Sequence, residues 1–137
     1  MKAIRPVRHL TILGSTGSIG VNTLDVVAHH PDRFSVIALA ANKNAKKMLE
    51  QCRRFQPRYA VLLDEASAEW LAPEIRAAGL ETEVLWGVES LEKVASLPDV
   101  DMVMAAIVGA AGIRPTFAAA RAGKLILLAN KETMVMA

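Results

Sequence analysis

At 137 residues, 53% hydrophobic and 22% charged, the chain has the size of one compact domain with a sizeable core; two domains would be cramped. The 16 basic and 14 acidic residues leave a formal charge of +2 with no basic block or arginine-rich face, which excludes nucleic acid as an expected partner. The apolar runs around 102–111 and 125–129 fall short of the roughly 20 residues that a bilayer span needs, so no membrane contact is expected. The lone Cys52 allows neither an internal disulfide nor a cysteine-rich metal site, which fits a reduced, cytoplasmic setting.

Met1 to His9 reads as a short charged lead-in without the apolar region of a signal peptide. From Leu10 to Leu24 a buried strand, a glycine turn and a helix start follow one another without a break. Gly14, Gly17 and Gly20 let the backbone turn sharply, expose its amides and bring helix close to strand. Amides at the start of a helix opening near Ser18 lack intrahelical partners and carry partial positive charge, so a pyrophosphate is the expected guest. The spacing departs from the usual G-x-G-x-x-G, because Ser15 and Thr16 fill the first gap. The glycines then have a second reading, as a tight turn that serves packing only. A Walker-type loop is disfavoured, since no Gly-Lys-Ser/Thr follows.

Helix one is expected over 18–30, stopped by Pro31, with His29 and His30 at its C-terminus, where a cationic ring suits the dipole better than a metal does. His9 is likewise read as structural. Strand two, 34–40, is apolar almost throughout, as a parallel strand covered on both faces requires. At its end an NAD-binding unit usually places an acid for the ribose 2′-hydroxyl, whereas this chain has Ala40-Ala41-Asn42-Lys43-Asn44. Lys43 with Asn44 suits a 2′-phosphate, and a charge-assisted bond of roughly 1.5–3 kcal/mol predicts about tenfold to hundredfold preference for NADPH over NADH. The alternative is a simple helix cap with Lys43 solvated.

Helix two is expected over 45–55 with Met48, Leu49 and Cys52 inward, strand three over 59–63, and helix three over 65–78, ended by Gly79 and holding Trp70 as a packing residue. A weaker strand four, 83–86, precedes a short helix over 90–97. Strand five, 101–107, with core methionines, leads into Val108-Gly109-Ala110-Ala111-Gly112, a second small-residue turn that either lines a cofactor crevice or packs the next helix. That helix reaches about 122. Strand six, 124–129, delivers Asn130, Lys131 and Glu132 to the edge of the sheet that carries the first turn, placed to orient a cofactor or substrate or, for Asn130, to cap a helix. Strict alternation with short connections points to an α/β fold, a doubly wound, Rossmann-like parallel sheet in the order 3-2-1-4-5-6.

With LTILGSTGSIG (10–20), TLDVV (23–27), PRYAV (57–61), MAAIVGAAG (104–112) and LLANKE (127–132) in order, the chain resembles the N-terminal domain of the 1-deoxy-D-xylulose 5-phosphate reductoisomerases. The resemblance implies an NADPH-binding domain over 1–137 and a full-length enzyme that isomerises and reduces 1-deoxy-D-xylulose 5-phosphate to 2-C-methyl-D-erythritol 4-phosphate in isoprenoid biosynthesis. It also implies a homodimer and a divalent metal (magnesium, manganese or cobalt) held by carboxylates of a catalytic domain outside these residues. Carried onto matching positions, Thr16, Gly17, Ser18 and Ile19 hold the pyrophosphate side of NADPH, and Asn42, Lys43 and Asn44 face the adenosine ribose and its 2′-phosphate. Asn130 and Glu132 contact NADPH, and Lys131 reaches the substrate. Asn42 stands where the family often has Gly. The expectation is a fragment that binds NADPH without turnover; the rival readings are another NADPH-dependent reductase or a non-catalytic nucleotide-sensing module.

Overall fold

Strands that are apolar on both sides bury well only between two helical layers, and this chain builds that arrangement. The structure, a computed structural model, describes residues 6–107 and 109–128. In chain order the elements are β1 (Arg8–Leu13), α1 (Ser18–His29), β2 (Phe34–Ala41), α2 (Ala45–Phe55), β3 (Tyr59–Leu62) and α3 (Glu65–Ala77). They are followed by β4 (Glu83–Trp86), α4 (Val88–Ala95), β5 (Met102–Ala105), α5 (Ile113–Arg121) and β6 (Leu125–Leu128). A 3-10 turn over Ala110–Gly112 leads into α5.

All strand pairs are parallel, and the six strands lie in the order β4-β3-β2-β1-β5-β6. The doubly wound sheet is therefore the expected fold class, but the order 3-2-1-4-5-6 is corrected: β4 extends the sheet beyond β3, and β5 lies beside β1. The reason lies in the strands themselves. β4 is short, with Glu83 and Trp86 exposed, and suits an edge, whereas β5 places the buried Met102 and Val103 next to Leu10 and Thr11. The crossovers carry α1, α2 and α3 over one face, and α4 packs on the other.

Both faces are packed. Ile12, Leu39 and Leu62 meet Leu24 and Val27 of α1, Met48, Leu49 and Cys52 of α2, and Leu71 and Ile75 of α3. On the opposite face Leu13, Ile37, Val61 and Val103 meet Leu91 and Val94 of α4 and Ala119 of α5. Full burial of one such Leu or Ile contributes roughly 1.5–3 kcal/mol, so the two layers hold the strand ends in fixed relation. The hydroxyl of Thr11, buried inside β1, donates to the Val94 carbonyl at 2.7 Å and ties α4 across the central strand. Trp70, expected to pack, is 40% exposed on α3. The short helix after β4 begins at Val88, two residues before the expected start, because Gly87 at φ 91° serves as its N-cap.

Candidate functional site

The winding of the sheet reverses between β1 and β5: the helix after β1 covers one face, and the helix after β5 the other. Beyond the C-terminal ends of such a strand pair the helices diverge and leave a crevice. Here it is a cleft of about 230 Å³ lined by Gly14, Thr16 and Gly17 from the turn after β1, Ala41 and Asn42 from the end of β2, and Ala106 and Ile107 after β5.

The turn is held from both sides. The Gly14 and Ser15 amides donate to the Ala40 carbonyl at 2.7 and 2.9 Å, and the Ala106 amide donates to the Leu13 carbonyl at 2.8 Å. The three glycines divide by role. A Cβ on Gly14, at φ +87°, would lie 2.7 Å from the Ala106 oxygen, and one on Gly20 would lie 2.2 Å from the Gly14 oxygen and 2.5 Å from Ser15 Cα. These two let β5 and α1 approach the turn. Gly17 has no such neighbour, its closest atom being 3.7 Å from a Cβ, and it is exposed. The packing reading therefore holds for Gly14 and Gly20, while Gly17 faces the open side of the turn.

The first helical hydrogen bond of α1 runs from the Val21 amide to the Gly17 carbonyl at 2.9 Å. Among the described residues, the amides of Thr16, Ser18 and Ile19 have no backbone acceptor outside the helix, and no side chain caps α1. No acidic residue sits in its first turn. An anion there would satisfy orphan N–H groups and meet the positive end of the helix dipole.

At the far side of the cleft, Asn42, Lys43 and Asn44 are exposed between β2 and α2. Asn44 caps α2, its side-chain oxygen accepting from the Lys47 amide at 3.2 Å, while its side-chain nitrogen is left over for an acceptor outside. The first turn of α2 also lacks an acid and holds Lys46 and Lys47. By contrast, α3 and α4 carry Glu65 and Glu89 in their first turns. Asn42 does not use the left-handed region that a Gly would permit; among the described residues Gln56 is the one non-glycine with positive φ. Asp64, at the end of β3, donates its amide to the Asn42 carbonyl at 3.1 Å. Its carboxylate accepts from the Ser67 hydroxyl at 2.7 Å and the Ser67 amide at 3.0 Å. Those bonds hold the carboxyl below its ordinary value, with a further contribution from the charge of Lys43.

Of the expected residues, Thr16, Gly17 and Asn42 line the cleft, Ser18 and Ile19 form the adjoining first turn of α1, and Lys43 and Asn44 stand at the rim. Asn130, Lys131 and Glu132 lie outside the described residues. In the second small-residue turn Gly112 is a packing glycine, since a Cβ would lie 2.4 Å from the Ile107 oxygen, while Ala111 lines the cleft. Burial pushes the Cys52 thiol up to about 12 and keeps it protonated. Among the described residues no three of His, Cys, Asp and Glu come together as a metal site, so these residues do not fit the divalent metal.

A family model described as 1-deoxy-D-xylulose 5-phosphate reductoisomerase matches residues 10–137. The chain belongs to this family. The protein of that name from Nitrosospira multiformis is 84% identical over 131 residues, covering 96% of this chain and 33% of its own length. Its namesake from Nitrosomonas eutropha is 72% identical over 132 residues, covering 96% and 32%. A crystal structure of DOX-P reductoisomerase with NADPH, fosmidomycin and magnesium matches with a TM-score of 0.87 at 45% identity, over 96% of this chain and 32% of that one. The reductoisomerase from Zymomonas mobilis in complex with NADPH matches at 0.85 and 41%, over 96% and 34%. The chain thus spans about a third of the length of the reductoisomerases it matches.

One polar residue escapes the sequence reading. Gln51 sits among the inward positions of α2, only 8% exposed, and its Nε2 donates to the Ser15 carbonyl at 2.8 Å. The signal was a glutamine on a stripe otherwise formed by Ala45, Met48, Leu49 and Cys52.

Proposed function

We propose that this chain is the NADPH-binding part of an enzyme that isomerises and reduces 1-deoxy-D-xylulose 5-phosphate to 2-C-methyl-D-erythritol 4-phosphate. The carrying observation is the pairing, across one cleft, of open amides after β1 with an acid-free, lysine-bearing loop after β2. Thr16, Gly17, Ser18 and Ile19 take the diphosphate on the backbone, and Asn42, Lys43 and Asn44 take the adenosine ribose and its 2′-phosphate. The small residues Ala41 and Ala106 let the extended cofactor lie against the strand ends. Bound there, NADPH supplies the hydride of the reduction.

β6 runs parallel to β5 with Leu128 beside Ala105, so the chain leaves β6 at the cleft's edge of the sheet. That supports Asn130 and Glu132 as cofactor contacts and Lys131 as a substrate contact. The carboxylates for a magnesium, manganese or cobalt ion, a homodimer contact and turnover are assigned to the rest of the family's longer chain, in the cytoplasm. Residues 1–137 alone are expected to bind NADPH without converting substrate.

Titration with NADPH and NADH, before and after Lys43→Ala, tests the reading. Charge-assisted recognition of the 2′-phosphate predicts about tenfold to hundredfold tighter binding of NADPH, abolished by the variant with NADH affinity unchanged. Equal weakening of both would move Lys43 away from the 2′-phosphate. A native chain that binds neither dinucleotide would refute the site.

A further inference from the structure

We propose that Gln51 is a positioning residue for the diphosphate, acting through the Ser15 peptide, an inference that rests on the dinucleotide reading above. Gln51 is separated from Ser15 by 36 positions in sequence, yet its Nε2 lies 2.8 Å from the Ser15 carbonyl oxygen. A carbonyl only accepts, so the amide nitrogen is the group that must face it. The peptide joining Ser15 to Thr16 is planar and trans, with its C=O and N–H pointing in opposite directions. Drawing the Ser15 carbonyl toward α2 therefore turns the Thr16 amide away from α2. Thr16 lines the cleft, and its amide has no acceptor among the described residues.

The preceding peptide, between Gly14 and Ser15, is fixed as well, because the Ser15 amide donates to the Ala40 carbonyl at 2.9 Å. Ser15 is thus held at its N–H by the end of β2 and at its C=O by α2. Packing alone gives no reason for a glutamine here. Among the described residues the Gln51 Oε1 is buried without a partner, an arrangement that an apolar residue of the same length would avoid, and the one hydrogen bond of its side chain is that to Ser15. The position accepts an unsatisfied oxygen and gains control of one carbonyl.

The test uses Gln51→Met, which keeps length and helix propensity but removes the donor, and Gln51→Glu, which replaces it with an acceptor facing a carbonyl. Three probes are titrated: NADPH, NADH, and adenosine 2′-monophosphate, which carries the 2′-phosphate but no diphosphate. Loss of one net hydrogen bond predicts about threefold to tenfold weaker binding of both dinucleotides in Gln51→Met, a larger loss in Gln51→Glu, and unchanged affinity for adenosine 2′-monophosphate. Unchanged dinucleotide binding in Gln51→Met would overturn the proposal while leaving the cofactor site standing, as would equal weakening of all three probes. A native chain that binds no dinucleotide would refute the cofactor reading itself. If both variants fail to fold, nuclear magnetic resonance of the unaltered chain decides. The Gln51 side-chain amide protons should exchange far more slowly than those of the exposed Gln56, and NADPH should shift the Thr16 amide; Gln51 protons exchanging as fast as those of Gln56 would overturn the proposal.

Discussion

The turn that leaves β1 offers a ligand its backbone, whereas the loop that leaves β2, across the same cleft, offers side chains. In the first, what matters is what the residues lack: Gly14 and Gly20 carry no atom where the Ala106 carbonyl and the Gly14–Ser15 backbone pass. In the second, what matters is what they bring: a lysine, a capping asparagine and no carboxylate in the first turn of α2. A backbone site fails when packing fails and treats NADPH and NADH alike, because both have the diphosphate. A side-chain site leaves the fold alone and tells them apart.

The sharpest way to break that contrast is at the glycines. Gly20→Ala puts a methyl into backbone atoms that cannot swing aside, and a loss of about 3 kcal/mol of stability is expected by chemical denaturation, with both dinucleotides bound poorly. Gly17→Ala, with no clash at φ −79°, should stay within about 0.5 kcal/mol of the native chain yet weaken both dinucleotides by about tenfold. If the two variants lose stability equally, the division of the glycines into packing and ligand-facing positions is wrong.

The next largest effects belong to the loop after β2. Asn44→Ala removes the cap on α2 and should lower stability by about 1 kcal/mol. Asn44→Asp keeps a capping oxygen and should hold stability, yet it sets a negative charge where the 2′-phosphate is proposed to lie, so the ratio of NADPH to NADH affinity should fall. An unchanged ratio would reduce Asn44 to a cap alone.

The smallest expected effect is at Asp64, whose half-buried carboxylate caps α3. Its folded pKa lies below the ordinary 3.8, so the group contributes stability above that value and loses it as pH falls through the folded one. Asp64→Ala should therefore melt below the native chain at about pH 7, with the gap closing as pH falls through and below the lowered folded value. A gap that persists at low pH would mean that the lost contact is not ionic.

Much of this architecture was legible from local rules. The glycine run, Pro31, Pro57 and Gly79 mark element ends, so helix two coincides with its expected span and helices one and three end within a residue of theirs. The loop 42–44 stood out because an expected acid was missing. Asn44 shows that its two readings were compatible, since one side-chain atom caps α2 and the other is left over. The strand order was not legible, because no stretch of β4 states which neighbour it pairs with; its place at the edge follows from β5 being the better-buried partner for β1.

By itself, the sequence determined the alternation of strands and helices, the position of the glycine turn and the charge character of the loop opposite, because periodicity, turn chemistry and side-chain charge act over a few residues. Only the tertiary structure decided where β4 lies, which glycines make room for neighbouring backbone and which stays exposed, and that Gln51 reaches Ser15. Those outcomes depend on segments far apart in the chain meeting within a few ångströms, and the separation is set by the packing of the whole sheet.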